Sequence, residues 1–408
     1  MHILFLTDNF PPEGNAPASR TYEHAREWVK LGHAVTVITC APNFPEGVVF
    51  DGYKNKWYQR NVMDGINVVR VKTYITANEG FAKRILDYIS FGIMGGIAGL
   101  FQKRPDVIVS TSPQFFCACG AWVLSVIRWK PWVFELRDIW PASITAVGAM
   151  EKNRVIRVLE RLEMFLYRRA DRIVAVTNSF KTELIERGID VNKIDVVING
   201  VDLSKYSPVE SKNAKLADQY ALAGKFVVGY IGTHGMAHAL DKVLDAAEVL
   251  RDNDDVRFLF AGGGAERASL ERLTAKQGLS NVVMMPRQPK EMMPAVWSLC
   301  DISLISLRDT PLFTKVIPSK IFESMGMGLP MVIACPGGEA TEIIEGTSSG
   351  VVVEPENPKA LADCVAALYF DRARLAELAR ASGASAETYD RARQAELMLE
   401  SLKSAANC

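Results

Sequence analysis

The chain has 408 residues, 49% of them hydrophobic, and its 47 basic and 47 acidic side chains give zero formal net charge. This length predicts two domains that each bury their own core, and the balanced charge excludes a general attraction to nucleic acid. Seven cysteines stand in apolar contexts without a CxxC pair, which indicates reduced thiols in a cytoplasmic protein and no zinc site.

The chain begins with a predicted strand, HILFL, at residues 2–6. The run has no basic leader and Asp8 ends it, so it is a strand and not a signal peptide. The loop that follows contains Gly14 and Arg20, which we expect at the ligand-binding edge of a sheet. Further apolar, β-branched runs predict strands at 34–39, 67–72, 106–111, 131–136, 172–177 and 195–199.

The longest apolar segment, RILDYISFGIMGGIAGLFQKR, covers residues 84–104. Asp87 interrupts it, and the uncharged part is too short to span a bilayer. Basic residues flank it at both ends. Two interpretations stay open: a helix 81–101 that lies on the inner face of the plasma membrane, or a helix buried in an α/β domain.

The second half of the chain repeats the alternation of strands and helices. Residues 201–224 are rich in turn formers and predict a hinge. After it, strands are predicted at 225–231, 255–262, 281–285, 301–307, 330–335 and 350–354. Apolar strands separated by helices indicate parallel sheets covered on both faces. We therefore predict an α/β fold of two doubly wound, Rossmann-like domains, 1–200 and 225–384, that face a central cleft, with a C-terminal helix in 385–408 that packs on the N-terminal domain.

Three glycine-containing loops follow predicted strands of the second half. Glycine lets the backbone approach a ligand, and a helix start after it, at about residue 237 in the first loop, presents free N–H groups to an anion. The alternative is a tight turn without a ligand. The spacing does not match the dinucleotide fingerprint. The candidate binding residues are Gly232, Thr233, His234, Gly235, Gly262, Gly264, Gly338 and Glu339.

The segment KVIPSKIFESMGMG, 315–328, predicts a loop that enters a short helix at Pro318. Ser319, Lys320 and Glu323 then lie within one turn and share a face. A lysine in the first turn is electrostatically unfavourable unless an anion is bound. We interpret this face as a site for phosphate and ribose groups, with an exposed Lys–Glu pair as the alternative.

The segments INGVDLSKYSP, FELRDIWPAS and GMGLPMVIACPGGEATEIIEGTSSGVVVEPENP, together with KVIPSKIFESMGMG, resemble GT-B glycosyltransferases of the retaining family 4. The resemblance is to the O-antigen and capsule branch, which includes L-fucosamine transferases. It implies transfer of an N-acetylated deoxy-amino sugar from a UDP-linked donor, without a metal cofactor. It implies that the C-terminal domain binds the donor and the N-terminal domain binds a lipid-linked (polyprenyl diphosphate) saccharide acceptor at the inner membrane surface.

The chain also departs from the family pattern. Glu323 matches the ribose-binding glutamate, but Lys315 stands where the family has another glutamate. The arginine and lysine that hold the diphosphate in many members are absent from the loop at 232–242. The diphosphate is therefore expected to contact backbone N–H groups and Lys320, together with Arg287 or Lys315. Of the family's glycine pair after the first strand, Gly14 alone remains.

The predicted catalytic residues are Arg137 and Asp138, which stand where many members have a histidine before an acid. Asp138 is the candidate for orienting the acceptor hydroxyl or relaying its proton; the alternative is a structural corner formed with Trp140. We expect front-face attack, in which the departing phosphate takes the acceptor proton. A nucleotide-sugar epimerase and a non-catalytic nucleotide-sugar binding protein stay open as alternatives. A dehydrogenase is disfavoured because neither half has a complete fingerprint.

Overall fold

The structure is a computed structural model, and it describes residues 1–44, 46–76, 81–112, 114–139 and 154–407. The chain forms two compact units. Unit 1 consists of Met1–Ile198 and Arg391–Cys408, and unit 2 consists of Asn199–Asp390. Residues 201–224, predicted as a hinge, belong to unit 2.

Apart from β3, the strands of both units lie close to the predicted apolar runs. In unit 1 they are β1 (His2–Leu6), β2 (Ala34–Cys40), β3 (Tyr58–Met63), β4 (Ile66–Val71), β5 (Val107–Thr111), β6 (Trp132–Leu136), β7 (Arg172–Ala175) and β8 (Ile194–Val196). In unit 2 they are β9 (Phe226–Thr233), β10 (Val256–Gly263), β11 (Val282–Met285), β12 (Ile302–Ser306), β13 (Met331–Ala334) and β14 (Gly350–Val353).

The α-helices alternate with these strands along the chain. They are α1 (Ala16–Lys30), α2 (Phe81–Leu100), α3 (Phe115–Arg128), α4 (Arg154–Arg169), α5 (Asn178–Glu186), α6 (Ala214–Gln219), α7 (Leu240–Val249), α8 (Arg267–Gln277), α9 (Met293–Trp297), α10 (Lys320–Gly326), α11 (Glu339–Thr347), α12 (Pro358–Phe370), α13 (Arg372–Ser385) and α14 (Arg391–Ala406).

The sheet of unit 1 has the order β3-β4-β2-β1-β5-β6-β7-β8 in the part of the chain that the structure describes. Its pairs are parallel except at the edge, where β3 runs antiparallel to β4. The sequence pattern does not predict β3, because its residues YQRNVM are mostly exposed and polar. Edge strands need no continuous apolar run, since neither face is fully covered.

Helices cover both faces of this sheet. On one face, α2, α3 and α4 pack over a core that includes Phe91, Leu124 and Leu166. On the other face, α1 and α14 enclose a second core around Trp28 and Met398. The C-terminal helix is thus part of unit 1, where the indole N–H of Trp28 donates to the carbonyl of Ala395 (2.8 Å).

Helices α2 and α3 are in direct backbone contact. A Cβ on Gly92 would lie 2.3 Å from the carbonyl oxygen of Phe116, and one on Gly120 would lie 2.2 Å from that of Gly92. Glycine is therefore required at this crossing because a side chain would push the helices apart. Among the helices of the described ranges, none is both long enough and apolar enough to cross a membrane.

The sheet of unit 2 has the order β11-β10-β9-β12-β13-β14 and is parallel throughout its described strands. Helices α7 and α12 pack over one core, which includes Val228, Leu244 and Val365. The predicted fold class is therefore confirmed: both units are doubly wound α/β structures.

Each sheet has one point where the chain reverses its direction of winding. In unit 1 this switch point lies between β1 and β5, and in unit 2 it lies between β9 and β12. Loops at the carboxyl ends of such strand pairs diverge and leave a crevice, where ligands of open α/β sheets bind. Both candidate sites described below lie at these edges.

Candidate functional site

The carboxyl edge of β9 and β10 is formed by glycine backbones in close contact. Gly232 on β9 pairs with Gly262 on β10, and a Cβ on Gly262 would lie 1.9 Å from the carbonyl oxygen of Gly232. Both residues have positive φ, +145° and +148°, and Gly264 has φ +150°. Residues that carry a side chain rarely adopt this backbone conformation. Glycine is therefore required here by the backbone itself.

His234 lies in the loop after β9 and is fully buried. Its backbone N–H donates to the carbonyl of Gly263 (2.9 Å), and its carbonyl accepts from the N–H of Glu266 (2.9 Å). Neither ring nitrogen has a hydrogen-bond partner within the described residues. Burial lowers the pKa of His234 to about 4, and the positive charges of Arg267 and Lys320 act in the same direction. The neutral ring therefore carries one unused donor and one unused acceptor.

The helix predicted to follow this loop at about residue 237 begins later. A 3₁₀ turn, Met236–His238, and Ala239 in the left-handed conformation (φ 46°) separate the loop from α7. At the end of this turn, Nδ1 of His238 lies 3.3 Å from the carbonyl oxygen of Ser306 on β12. Burial lowers the pKa of His238 to about 4, with a further contribution from the charge of Lys320.

Lys320, the first residue of α10, is buried at the switch point of unit 2. It is 8% exposed, and its ammonium nitrogen lies 3.6 Å from the centre of the Tyr230 ring. Nζ has no hydrogen-bond partner within the described part of the chain. A Cβ on Gly232 would lie 3.3 Å from Nζ, so the absence of a side chain there leaves room for the ammonium group.

Burial lowers the pKa of Lys320 to about 7, although Cys335 and Glu323 act to raise it. A buried ammonium group is unfavourable unless an anion accompanies it. The ring of Tyr230 compensates part of this cost through a cation–π contact. The cation at the first turn of this helix is therefore buried and not on the surface. Its need for an anion stays a prediction.

Ser319 and Glu323 belong to the same turn as Lys320, but their side chains are in different surroundings. Ser319 is the N-cap residue of α10, and its side chain makes no capping hydrogen bond. The carboxylate of Glu323 accepts a hydrogen bond from the indole N–H of Trp297 (3.0 Å). Glu323 is half-buried, so its carboxylate keeps a route to solvent.

Two residues of this edge were not found by sequence reasoning. Tyr230 stands ninety positions before Lys320 in the chain, and no local pattern connects them. Arg267 donates to the carbonyls of Gly262 (2.6 Å) and Met285 (2.7 Å), which ties the ends of β10 and β11 together. The sequence offers a signal for Arg267, because it stands three residues after Gly264, at the start of the helix that follows this glycine loop.

The remaining predicted residues of unit 2 surround this centre less closely. Thr233, Arg287 and Lys315 are exposed, and Gly235 is half-buried. Gly338 is in close backbone contact with the 3₁₀ turn Pro311–Lys315, since a Cβ there would lie 2.0 Å from the carbonyl oxygen of Thr314.

Glu339 is the first residue of α11, directly after Gly338, and it is buried. The turn that carries Lys315 therefore lies beside the start of α11.

In unit 1, Arg20 and Arg137 are held in a buried ion cluster with Glu135. The carboxylate of Glu135 lies 2.8 Å from Arg20 Nε and 2.8 Å from Arg137 Nη2. Burial alone would raise the pKa of Glu135, but Arg137 and Arg20 outweigh it and hold the pKa below its usual value. Arg20 also donates to the carbonyls of Val197 (2.7 Å) and Ile198 (2.8 Å), where the chain leaves unit 1.

Arg137 and Asp138 follow β6 and are anchored by Ser112. The hydroxyl oxygen of Ser112 accepts from both of their backbone N–H groups, at 2.7 and 3.1 Å. The guanidinium of Arg137 donates to Thr21 (3.0 Å) and to the carbonyl of Pro17 (3.1 Å), so it is engaged within unit 1. Asp138 is half-buried. Trp140 lies outside the described residues. Gly14 is exposed in the loop before α1.

The described residues contain no group of three or more His, Cys, Asp or Glu side chains that could hold a metal ion. The cationic and N–H groups of the unit 2 edge are suited to an anion instead.

Comparisons with known proteins agree with this architecture. A model named glycosyl transferase 4-like domain matches residues 15–200, and one named glycosyl transferases group 1 matches residues 225–371. WcaI of Escherichia coli K12, named for glycosyl transfer in colanic acid biosynthesis, is 26% identical over 372 residues, which cover 88% of this chain and 90% of WcaI. WbjE of Pseudomonas aeruginosa, named as a glycosyltransferase, is 26% identical over 282 residues, which cover 65% and 70%.

Solved structures share the fold. HepE of Anabaena in complex with UDP-glucose aligns with a TM-score of 0.72 at 20% identity, covering 99% of this chain and 100% of that one. WaaG, a glycosyltransferase involved in lipopolysaccharide biosynthesis, aligns with a TM-score of 0.69 at 14% identity, covering 98% and 99%.

Two doubly wound units with matching domain models define a glycosyltransferase of the GT-B fold. The chain carries a glycosyl transferase 4-like domain at residues 15–200 and a glycosyl transferases group 1 domain at residues 225–371, and the predicted family is confirmed at the level of these domains.

The two neighbouring glycines of β10 provide a matched test of the edge. We expect Gly262→Ala to lower the free energy of unfolding by at least about 2 kcal/mol, because it combines a positive φ with a backbone clash. Gly263→Ala meets no atom within 4 Å and should stay within about 1 kcal/mol of wild type. Urea unfolding followed by circular dichroism measures both, and equal losses would contradict the account.

Proposed function

We propose that unit 2 binds a nucleoside diphosphate sugar and that the chain transfers the sugar with retention to a lipid-linked saccharide. The observation that carries this proposal is the buried ammonium group of Lys320, which has no hydrogen-bond partner within the described residues and lies beside glycine backbones at the switch point. A diphosphate at this point would supply the missing negative charge. The UDP-glucose bound to HepE supports a UDP-linked donor.

Each polar group at the edge receives a role in this proposal. Lys320 and Ser319 contact the diphosphate, and the buried ring of His234 supplies a further N–H donor. Glu323, whose carboxylate is oriented by Trp297, accepts hydrogen bonds from the ribose hydroxyls. Arg287 and Lys315 are exposed cations that assist with the phosphate charge. These groups neutralise the leaving diphosphate without a metal, by preorganised donors.

In unit 1, we assign Asp138 to orienting the acceptor hydroxyl. Arg137 acts as a positioning residue, because its guanidinium is engaged by Glu135 and Thr21. No second carboxylate is assigned as a nucleophile, so attack on the donor face and proton transfer to the departing phosphate account for retention. An N-acetylated deoxy-amino sugar as donor, of the fucosamine type, remains our proposal from the sequence resemblance.

We further propose that unit 1 acts at the inner face of the plasma membrane, through the outer surface of α2, α3 and α4. Helices α3 and α4 are neighbours through Trp122 and Phe165, whose ring centres lie 4.9 Å apart. Several apolar side chains on α2 and α3, and on the residues that follow these helices, are exposed and point away from the core. They are Ile93 (56% exposed), Ile97 (46%), Phe101 (80%), Val126 (56%), Ile127 (54%) and Trp129 (86%).

The charge of this surface fits anionic lipid headgroups. Helix α4 exposes five arginines, while its acidic residue Glu160 is half-buried and Glu163 is buried. Aromatic and aliphatic groups that insert at an interface, next to arginines that contact headgroups, are typical of peripheral membrane proteins. The exposed arginines are Arg154, Arg157, Arg161, Arg168 and Arg169.

Donor specificity is the direct test of the proposed function. Purified protein is incubated with a panel of UDP-sugars, with UDP-N-acetylfucosamine and UDP-N-acetylglucosamine first, and nucleotide release is measured with and without a lipid-linked saccharide. Release that depends on the acceptor, with the anomeric configuration retained by NMR, is the expected outcome. Inversion or epimerisation of the donor without an acceptor would instead favour an epimerase.

We expect Lys320→Met and Glu323→Ala each to lower transfer at least about tenfold, a loss of about 1.4 kcal/mol of transition-state stabilisation. The reason is that one removes the buried cation and the other the carboxylate oriented by Trp297. Lys359→Met, which changes an exposed lysine on α12, is the matched control and should retain full activity. Wild-type kinetics in the first two variants would refute these assignments.

Donor binding should take up a proton, because a bound anion raises the pKa of Lys320 above its unliganded value of about 7. At about pH 8 the free side chain is mostly neutral and the bound one charged, so affinity for UDP should fall as the pH rises from about 7 to about 9. Calorimetry in HEPES and in Tris, which differ in ionisation enthalpy, measures the uptake. Lys320→Met should abolish it; equal uptake in that variant would contradict the assignment.

Membrane binding is tested by co-sedimentation with phosphatidylcholine vesicles that contain or lack phosphatidylglycerol. The variant Ile93→Ser/Ile97→Ser/Phe101→Ser should weaken binding at least about tenfold. Arg157→Ala/Arg161→Ala should weaken binding only to the anionic vesicles. Phe370→Ser, which removes a side chain of unit 2 that is 77% exposed, is the control. Unchanged binding of the α2 variant would exclude this surface.

A further inference from the structure

The switch point of unit 1 carries a group of polar side chains that the roles above do not use. Asp8 follows β1, and Gln114 follows β5, the strand on the other side of the switch point. The amide nitrogen of Gln114 donates to Asp8 Oδ2 across this gap. Glu13 lies in the same loop as Asp8, and its Oε1 accepts from the backbone N–H groups of Asn43 (2.8 Å) and Phe44 (2.9 Å).

The unused atoms of this group are all hydrogen-bond acceptors. Oδ1 of Asp8, Oε2 of Glu13 and Oε1 of Gln114 are buried and have no hydrogen-bond partner among the residues that the structure describes. Glu13 is 4% exposed and Gln114 is 8% exposed. Buried polar atoms are paired in nearly all folded proteins, so three unpaired acceptors around one gap indicate a missing donor. Gln114 is neutral, so its orphan oxygen is independent of the carboxylates.

The pKa values of the carboxyl groups indicate which kind of ligand would supply that donor. Burial raises the pKa of Glu13 to about 7, with a contribution from Asp8, and burial raises that of Asp87 to about 8, with contributions from Asp8 and Glu13. Cys40 and Arg70 also face the group: Cys40 Sγ lies 3.3 Å from the Asp8 carbonyl oxygen, and Arg70 donates to the Pro11 carbonyl (2.7 Å).

Carboxyl groups that are partly protonated near neutral pH both donate and accept hydrogen bonds. A hydroxyl group is the complementary ligand, because it also does both. An ammonium group only donates and would need fully ionised carboxylates. A metal ion is a poor fit, since the described residues contain no metal-binding group of three ligands.

We propose that Asp8, Glu13 and Gln114 form a binding subsite for the hydroxyl groups of a saccharide. The inference rests on the proposed function, because the saccharide is then the acceptor of the transfer. It adds the side chains of unit 1 that contact the ring hydroxyls of this saccharide. Such a subsite discriminates strongly against ligands without these hydroxyls, because they leave the buried acceptor atoms unpaired.

Saturation-transfer NMR tests the subsite without any nucleotide present. The full chain is titrated with methyl glycosides of glucose, galactose, mannose, N-acetylglucosamine and L-fucose, and with cyclohexylammonium as a ring cation without hydroxyls. At least one glycoside should bind, and cyclohexylammonium should not. Glu13→Gln replaces an acceptor by a donor, and Gln114→Met removes both amide atoms; each should weaken glycoside binding at least about threefold.

Asp51→Asn changes an exposed carboxylate of unit 1 and is the matched control, which should bind as wild type does. Thermal unfolding identifies variants that fail to fold. Gln114→Met is the safer variant because the side-chain amide of Gln114 donates to Asp8, which belongs to the same group. The proposal is overturned if no glycoside binds the wild type, if both variants bind unchanged, or if cyclohexylammonium binds at the same place. UDP calorimetry on the same samples separates the two proposals. If the wild-type protein binds a glycoside but not UDP, the donor site is refuted and the saccharide subsite is not.

Discussion

Parallel pairing of the strands is the constraint on which both candidate sites depend. It places the carboxyl ends of all parallel strands at one edge of each sheet, and the reversal of winding leaves a gap between β1 and β5 and between β9 and β12. Residues far apart in the sequence meet there because the strand order brings them together. The two edges carry opposite chemistry: unit 2 presents a lysine and neutral histidines, and unit 1 presents unpaired acceptor oxygens.

The buried ammonium group of Lys320 shows how unit 2 accommodates a cation in its interior. A lone buried cation is strongly unfavourable, and the structure reduces this cost in two ways. The ring of Tyr230 faces the ammonium group at 3.6 Å, and the pKa is lowered to about 7, so that the group is partly neutral near neutral pH. The glycines beside it, required by their own backbone contacts, leave the space open.

The buried cluster of Arg20, Glu135 and Arg137 shows the limit of interpreting charged residues from sequence. All three side chains are at most 9% exposed, and the two arginines compensate the burial of one carboxylate. Charged residues after strands indicate a ligand-binding edge, yet the same residues also serve to connect α1, β6 and the end of β8. Removing one member of such a cluster leaves an uncompensated buried charge, so its first function is structural.

Local patterns in the sequence determined the class of the fold, the buried strands, and the positions of the glycine loops. These features depend on hydrophobic periodicity and backbone freedom, which are properties of neighbouring residues. The edge strand β3, the contact of Lys320 with Tyr230, and the gathering of Asp8, Glu13 and Gln114 were decided by tertiary structure alone. Each depends on which strands become neighbours in the sheet and on how deeply a side chain is buried, and neither quantity is encoded in a short stretch of sequence.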